Sequence, residues 1–147
     1  MELTTVLLDT HTWVWSLFKS SELSDTARGI MEQARTVYVA PCSLHEITAK
    51  HRSGKWPEVG EIVMRLPQLL RAQGGVAAPF TAEMAALSGG MAWSHKDPFD
   101  RMIAATAMEL ACPLISKESA FDGLTGYPGW VGRIWKTMPA EKSSSDT

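Results

Sequence analysis

Three short apolar runs, separated by segments with helical spacing, set the tightest limit on what this chain can become. Thr5-Val6-Leu7-Leu8, Val37-Tyr38-Val39-Ala40 and Pro113-Leu114-Ile115-Ser116 read as strands covered on both faces, because none alternates apolar with polar residues. Strands of that kind require helices above and below them. The sequence therefore predicts an α/β fold with a central, mostly parallel sheet flanked by helices on both faces. Its 147 residues suit a single domain, which at that length buries about 68–70% of its unfolded surface. The domain is expected over residues 1–137, with residues 138–147 as a polar, disordered tail.

The intervening segments carry recognisable helix signals. His11 to Lys19 places Trp13, Val14 and Leu17 at helical spacing, and Ser24 reads as the N-cap of a helix running to about Ala34. Ser43 is read as opening a helix that ends near Ser53, with Gly54 as its C′ residue. Glu58 to Gln73 reads as helical, divided by Pro67. Val76 to Phe80 reads as a short strand, and Thr81 caps a helix ending at Gly89-Gly90. Asp97-Pro98 starts the most regular helix, with its stripe at Phe99, Met102, Ile103, Ala107 and Leu110. Val131 to Trp135 reads as an edge strand.

Composition excludes some classes and leaves others open. The opening residues lack the basic segment of a signal peptide, and no apolar run is long enough to span a bilayer. A cytoplasmic protein without membrane contact is the expectation. Cys42 and Cys112 form no metal-binding spacing and read as buried free thiols. A net charge of −2 does not advertise nucleic-acid binding. It also does not exclude it, since acids committed to a metal count against the total while a basic rim holds phosphates.

Chemistry concentrates at four acids, Asp9, Glu46, Asp100 and Glu118. Three follow predicted strands, and in open α/β sheets ligands bind outside the carboxyl ends of the strands. Asp100 lies in the first turn of the regular helix. Carboxylates converging there would repel one another, and a divalent metal with oxygen ligands would resolve the conflict. Each has a plainer role available. Asp9 could simply cap the helix after it. Ser43-x-x-Glu46 matches a capping box, and Glu118 could be a solvated turn residue. Asp97 is read as the cap and Asp100 as the ligand, with Arg101 placed to pair with Asp97. Asp122 is a rival for the fourth position. His45-Glu46 resembles half of a zinc motif, but the next histidine, His51, falls off the required face. Lys50, Arg52, Lys55 and Lys96 flank the acids and are candidate nucleic-acid contacts. Trp56 and Trp93 sit in loops where they could stack on bases, and His11 and His95 could orient carboxylates or phosphate.

Taken together, Leu7-Leu8-Asp9-Thr10-His11, the run from Ser43 through Glu46, Ile47 and Lys50 to Gly54-Lys55, and His95-Lys96-Asp97-Pro98-Phe99-Asp100-Arg101-Met102-Ile103-Ala104-Ala105 resemble PIN-domain proteins of the VapC toxin type. The resemblance runs in order from Leu7 to about Trp135. It implies a PIN-like fold and an Mg²⁺- or Mn²⁺-dependent endoribonuclease that is the toxin of a toxin–antitoxin pair, a homodimer held inactive by a cognate antitoxin. By position it places three metal ligands on Asp9, Glu46 and Asp100. The fourth, an aspartate in the family, falls on Glu118, one methylene longer. Two other functions stay open. One is a PIN-like binding module whose catalysis has lapsed, a reading that Glu118 keeps alive. The other is a haloacid-dehalogenase-type phosphatase, which needs a second Asp two residues after Asp9, where this chain has His11.

Overall fold

A computed structural model describes residues 5–136; the expected polar tail lies outside them, as do residues 1–4 and 137 of the expected domain. Five strands form one sheet in the order β3-β2-β1-β4-β5, and every pairing is parallel. The strands are β1 (Thr5–Leu8), β2 (Thr36–Val39), β3 (Val76–Ala77), β4 (Leu114–Ile115) and β5 (Arg133–Ile134). The helices are α1 (Thr10–Phe18), α2 (Asp25–Gln33), α3 (Pro41–Arg52), α4 (Leu66–Ala72), α5 (Ala82–Gly90) and α6 (Pro98–Leu110).

Successive strand residues feed two separate cores, as the pleat requires. Val6, Leu8, Val39, Ile115 and Ile134 join Trp13 of α1, Ala27 of α2, Ile47 of α3 and Leu66 and Leu70 of α4. Leu7, Ala40 and Leu114 join the buried face of α6 with Phe121 and Leu124. Six consecutive residues of α6, Ile103 to Met108, are buried. Of the five stripe residues expected from the sequence only Ile103 and Ala107 are among them, Phe99, Met102 and Leu110 being half-buried, and the burial spreads round the helix because α5 also packs along α6. Alanines at 104, 105 and 107 permit the close approach.

Most helix signals hold. Ser24, Thr81 and Asp97 cap α2, α5 and α6 through their side chains, and Gly54 adopts φ +80° after α3. Two expectations are corrected. Helix α3 begins at Pro41 after Ala40, with no side-chain cap, so Ser43 and Glu46 form no capping box. Proline at the first position is pre-organised for a helix and starts it earlier. The stretch before Pro67 consists of two 3-10 segments, Pro57–Glu61 and Val63–Arg65.

The direction in which strands are added to the sheet reverses between β1 and β4. From β1 the chain builds outward through β2 to β3, then returns to lay β4 on the opposite side of β1. A crevice at that switch point is the general ligand position of such sheets. No helix among the described residues is long and apolar enough to cross a membrane.

Candidate functional site at the switch point

Register puts the ends of β1 and β4 side by side, Leu8 against Ile115, so Asp9 and Ser116 emerge together. Asp9 stays in the ladder, its amide donating to the Ile115 carbonyl at 3.2 Å, while its side chain turns into the rim. Oδ1 accepts from the Thr12 amide at 2.9 Å, and Oδ2 accepts from the Ser116 hydroxyl. Asp9 is therefore the cap of α1, and its second oxygen is engaged as well. Only 7% of the residue is exposed. Burial raises its pKa against the lowering effect of these hydrogen bonds.

Glu46 projects from the second turn of α3 and is 4% exposed. The Thr10 hydroxyl donates to Oε1 at 2.7 Å, and Lys50 pairs with Oε2 at 2.6 Å. Thr10 has one proton to give, so Ser43, 2.9 Å away, donates to Thr10 in turn. Lys50 is thus the internal counter-ion of Glu46, which tells against a purely external phosphate-binding role. Arg52 and Lys55 are exposed at the end of α3.

Asp100 occupies the first turn of α6, with Oδ2 2.7 Å from His95 Nε2. Its pKa is raised to about 6, first by desolvation and then by the charges of Asp97 and Glu46, with the His95 bond opposing. Asp97 is spent on the amides of Phe99 and Asp100. The expected Asp97–Arg101 pair does not form. Arg101 instead donates to the carbonyls of Ser88, Met91, Trp93 and His95 at 2.7–2.8 Å, pinning the loop that carries His95. A guanidinium can satisfy several carbonyls at once, which outweighs one ion pair to a carboxylate already engaged as the helix cap.

Glu118 is exposed and accepts from the Ala120 amide at 3.0 Å, capping a 3-10 turn at Ser119–Leu124. It borders an open cleft of about 430 Å³ with Asp9, His11, Trp15, Lys117 and Ser119. Asp122 lies beyond that cleft's lining and is held by both ends of the Arg133 guanidinium at 3.0 and 2.8 Å. Around the cleft, His11 stacks on Trp56 at 4.7 Å, and Lys117 lies 5.8 Å from the Trp15 ring. Trp56 is thus engaged by His11.

The four acids are brought together in two pairs. Asp9 and Glu118 share the cleft, while Glu46 and Asp100 lie within electrostatic range of one another. As the side chains are posed, no three His, Cys, Asp or Glu residues among those described are gathered to hold an ion. The donor chemistry nevertheless suits a hard divalent cation. It is all oxygen, two members are buried, and burial, aided by the charges of Asp97 and Glu46, raises the pKa of Asp100. Sequence reasoning missed Thr10, Ser43 and Ser116, which support the acids. The signal available was their position inside the same short motifs.

A PIN-domain profile matches residues 6–126. The chain belongs to the PIN-domain family. Solved structures with the same fold agree with the PIN assignment. VapBC2 of Rickettsia felis bound to a promoter DNA fragment superposes with a TM-score of 0.59 at 15% identity, over 90% of this chain and 100% of that one. A toxin–antitoxin complex from Klebsiella pneumoniae gives 0.59 at 17% identity, over 86% and 95%. FitAcB from Neisseria gonorrhoeae gives 0.56 at 16%, over 88% and 96%. At these identities the likeness is one of fold. A search of curated protein sequences finds no significant match.

Proposed function

We propose that this PIN domain is a metal-dependent endoribonuclease and the toxin of a VapBC-type toxin–antitoxin pair. The observation that carries the reading is Asp9 at the β1–β4 switch point, buried at the floor of a cleft shared with Glu118, with Glu46 and Asp100 coupled beside it. Family membership and the toxin–antitoxin complexes among the structural neighbours support it. Asp9, Glu46, Asp100 and Glu118 would hold Mg²⁺ or Mn²⁺. Such an ion supplies charge stabilisation to a phosphoryl group and lowers the pKa of an attacking water.

The chain's own residues do the rest. Lys117 and His11 in the cleft wall bind the phosphate of an RNA strand, and Trp15 helps shield the cleft from water. His95 and Ser116 orient Asp100 and Asp9 through their hydrogen bonds. Lys50 balances Glu46 when no other cation does. Like its structural neighbours, the protein would work with a cognate antitoxin, and we place it as a homodimer in the cytoplasm.

Expression of the chain alone should arrest growth, and co-expression of its partner should relieve it. Growth unaffected by the wild type, and equal to that of Asp9→Asn, would sink the toxin reading. Glu118 separates an active enzyme from a lapsed binding module. Glu118→Gln should weaken Mg²⁺ binding by calorimetry and slow cleavage of a mixed RNA pool about tenfold or more, because an amide is a poorer ligand for a hard cation. Glu118→Asp should retain activity. Equal metal affinity and rate in wild type and Glu118→Gln would take Glu118 out of the site.

A further inference from the structure

Beyond the 3-10 turn that carries Glu118 lies a second open cleft, of about 470 Å³, lined by Ala92, Trp93, Ser94, His95, Lys96, Ala120 and Gly123. It adjoins the acidic site through a shared residue, since His95 lines this cleft and bonds Asp100 at 2.7 Å. Its walls are aromatic and rich in donors. Phe121, Trp93 and His95 form a run of rings at 5.6 and 4.9 Å. Among the described residues, no hydrogen-bond partner is found for the Trp93 indole N–H, the Ser94 hydroxyl or the Lys96 ammonium. The indole nitrogen lies beside Gly123, where an added Cβ would stand 3.1 Å from Nε1. Glycine therefore keeps that edge of the tryptophan open.

We infer that this cleft is a nucleotide subsite that selects a keto base next to the scissile phosphate. The inference rests on the ribonuclease reading above and gives its site a source of sequence preference. Trp93 Nε1 and Lys96 Nζ can only donate. They suit guanine or uracil, which present O6 or O4 as an acceptor where adenine and cytosine present the N6 or N4 amino donor. Unpaired bases of single-stranded RNA, unlike those in a duplex, can reach such a pocket and lie against an aromatic wall. Arg101 holds the cleft's shape by binding the carbonyls of Trp93 and His95.

The test measures binding and cleavage together. Fluorescent single-stranded RNA pools, each with one of the four bases at every position, are titrated into Asp9→Asn protein by anisotropy; the same pools are cleaved by the Asp9 enzyme. Guanine and uracil pools should bind about fivefold or more tightly than adenine and cytosine pools, the scale of one base contact. Trp93→Phe keeps a ring but removes the N–H and should level that preference. Lys96→Ala, at an exposed position, should weaken binding of the guanine and uracil pools most and lower the salt slope by about 0.7. RNA that is bound and cleaved with no base preference, or with a preference unchanged in both variants, overturns the subsite alone. Failure of the wild type to cleave any RNA with Mg²⁺ or Mn²⁺, and of Asp9→Asn to bind any, overturns the ribonuclease reading and the subsite with it. Gly123→Val is a second check that leaves donors in place. Its side chain crowds Trp93 Nε1 and should erase the same preference without changing the salt slope.

Discussion

Asp100→Asn and Asp9→Asn should each slow RNA cleavage by roughly a hundred- to a thousandfold while leaving the protein folded. Each substitution removes a charge that the fold disfavours and keeps the local hydrogen bonds. Asparagine at 9 still accepts from the Thr12 amide and can donate to Ser116 Oγ, which already accepts from the Glu118 amide at 2.9 Å. Asparagine at 100 still accepts from His95. In metal-free protein the pKa of Asp100 rises from an ordinary 3.8 to about 6. Between those values the native state keeps a proton that the unfolded chain has lost, so stability falls as pH rises through that window and stays lower above it. Asp9 shifts in the same direction. Metal-free Asp100→Asn should therefore melt above the wild type at pH 7 and match it near pH 4. Asp97→Asn should be mild in both assays, since Asn caps a helix as well as Asp does. Near-normal cleavage by Asp100→Asn with Mg²⁺, or a deeper loss in Asp97→Asn, would exchange the two roles.

Arg101→Ala should be the most destabilising polar substitution in the chain, by about 3–4 kcal/mol. Its guanidinium donates to four carbonyls between Ser88, in the last turn of α5, and His95, in the loop that follows. Removing it leaves part-buried carbonyls without their charged donor, and the loss should lower Tm by roughly 10 °C in a domain of this size. Arg101→Lys should recover less than half, because an ammonium has three donors from one point and cannot span the four carbonyls. Activity should fall in both variants even well below Tm, as His95 loses its fixed position against Asp100. A thermal scan showing Arg101→Ala within about 2 °C of the wild type would mean the loop is held by something else.

Much of this protein follows from its sequence alone. Uninterrupted apolar runs between helical segments required a sheet covered on both faces, and the strands at 5–8, 36–39 and 114–115 appear where expected. Ser24, Thr81 and Asp97 announced helix starts because capping is a contact between residues two or three apart, within reach of any local reading. Asp9 was placed correctly at a strand end for the same reason.

Only the tertiary structure decided how the acids are partnered. The Ser116 hydroxyl reaches Asp9 across 107 residues, and Thr10 reaches Glu46 across 36, because parallel register sets Leu8 beside both Ile115 and Val39. Nothing in local spacing encodes that adjacency. The same holds for Arg101, whose i,i−4 neighbour Asp97 was the natural partner by sequence. The end of α5 and the loop after it offered four part-buried carbonyls instead, and such carbonyls must find donors. Local propensity fixes where an element begins and which face it buries. The choice of partner for a buried charge is settled by which unsatisfied groups the packed chain brings within 3 Å, and that is a property of the whole fold.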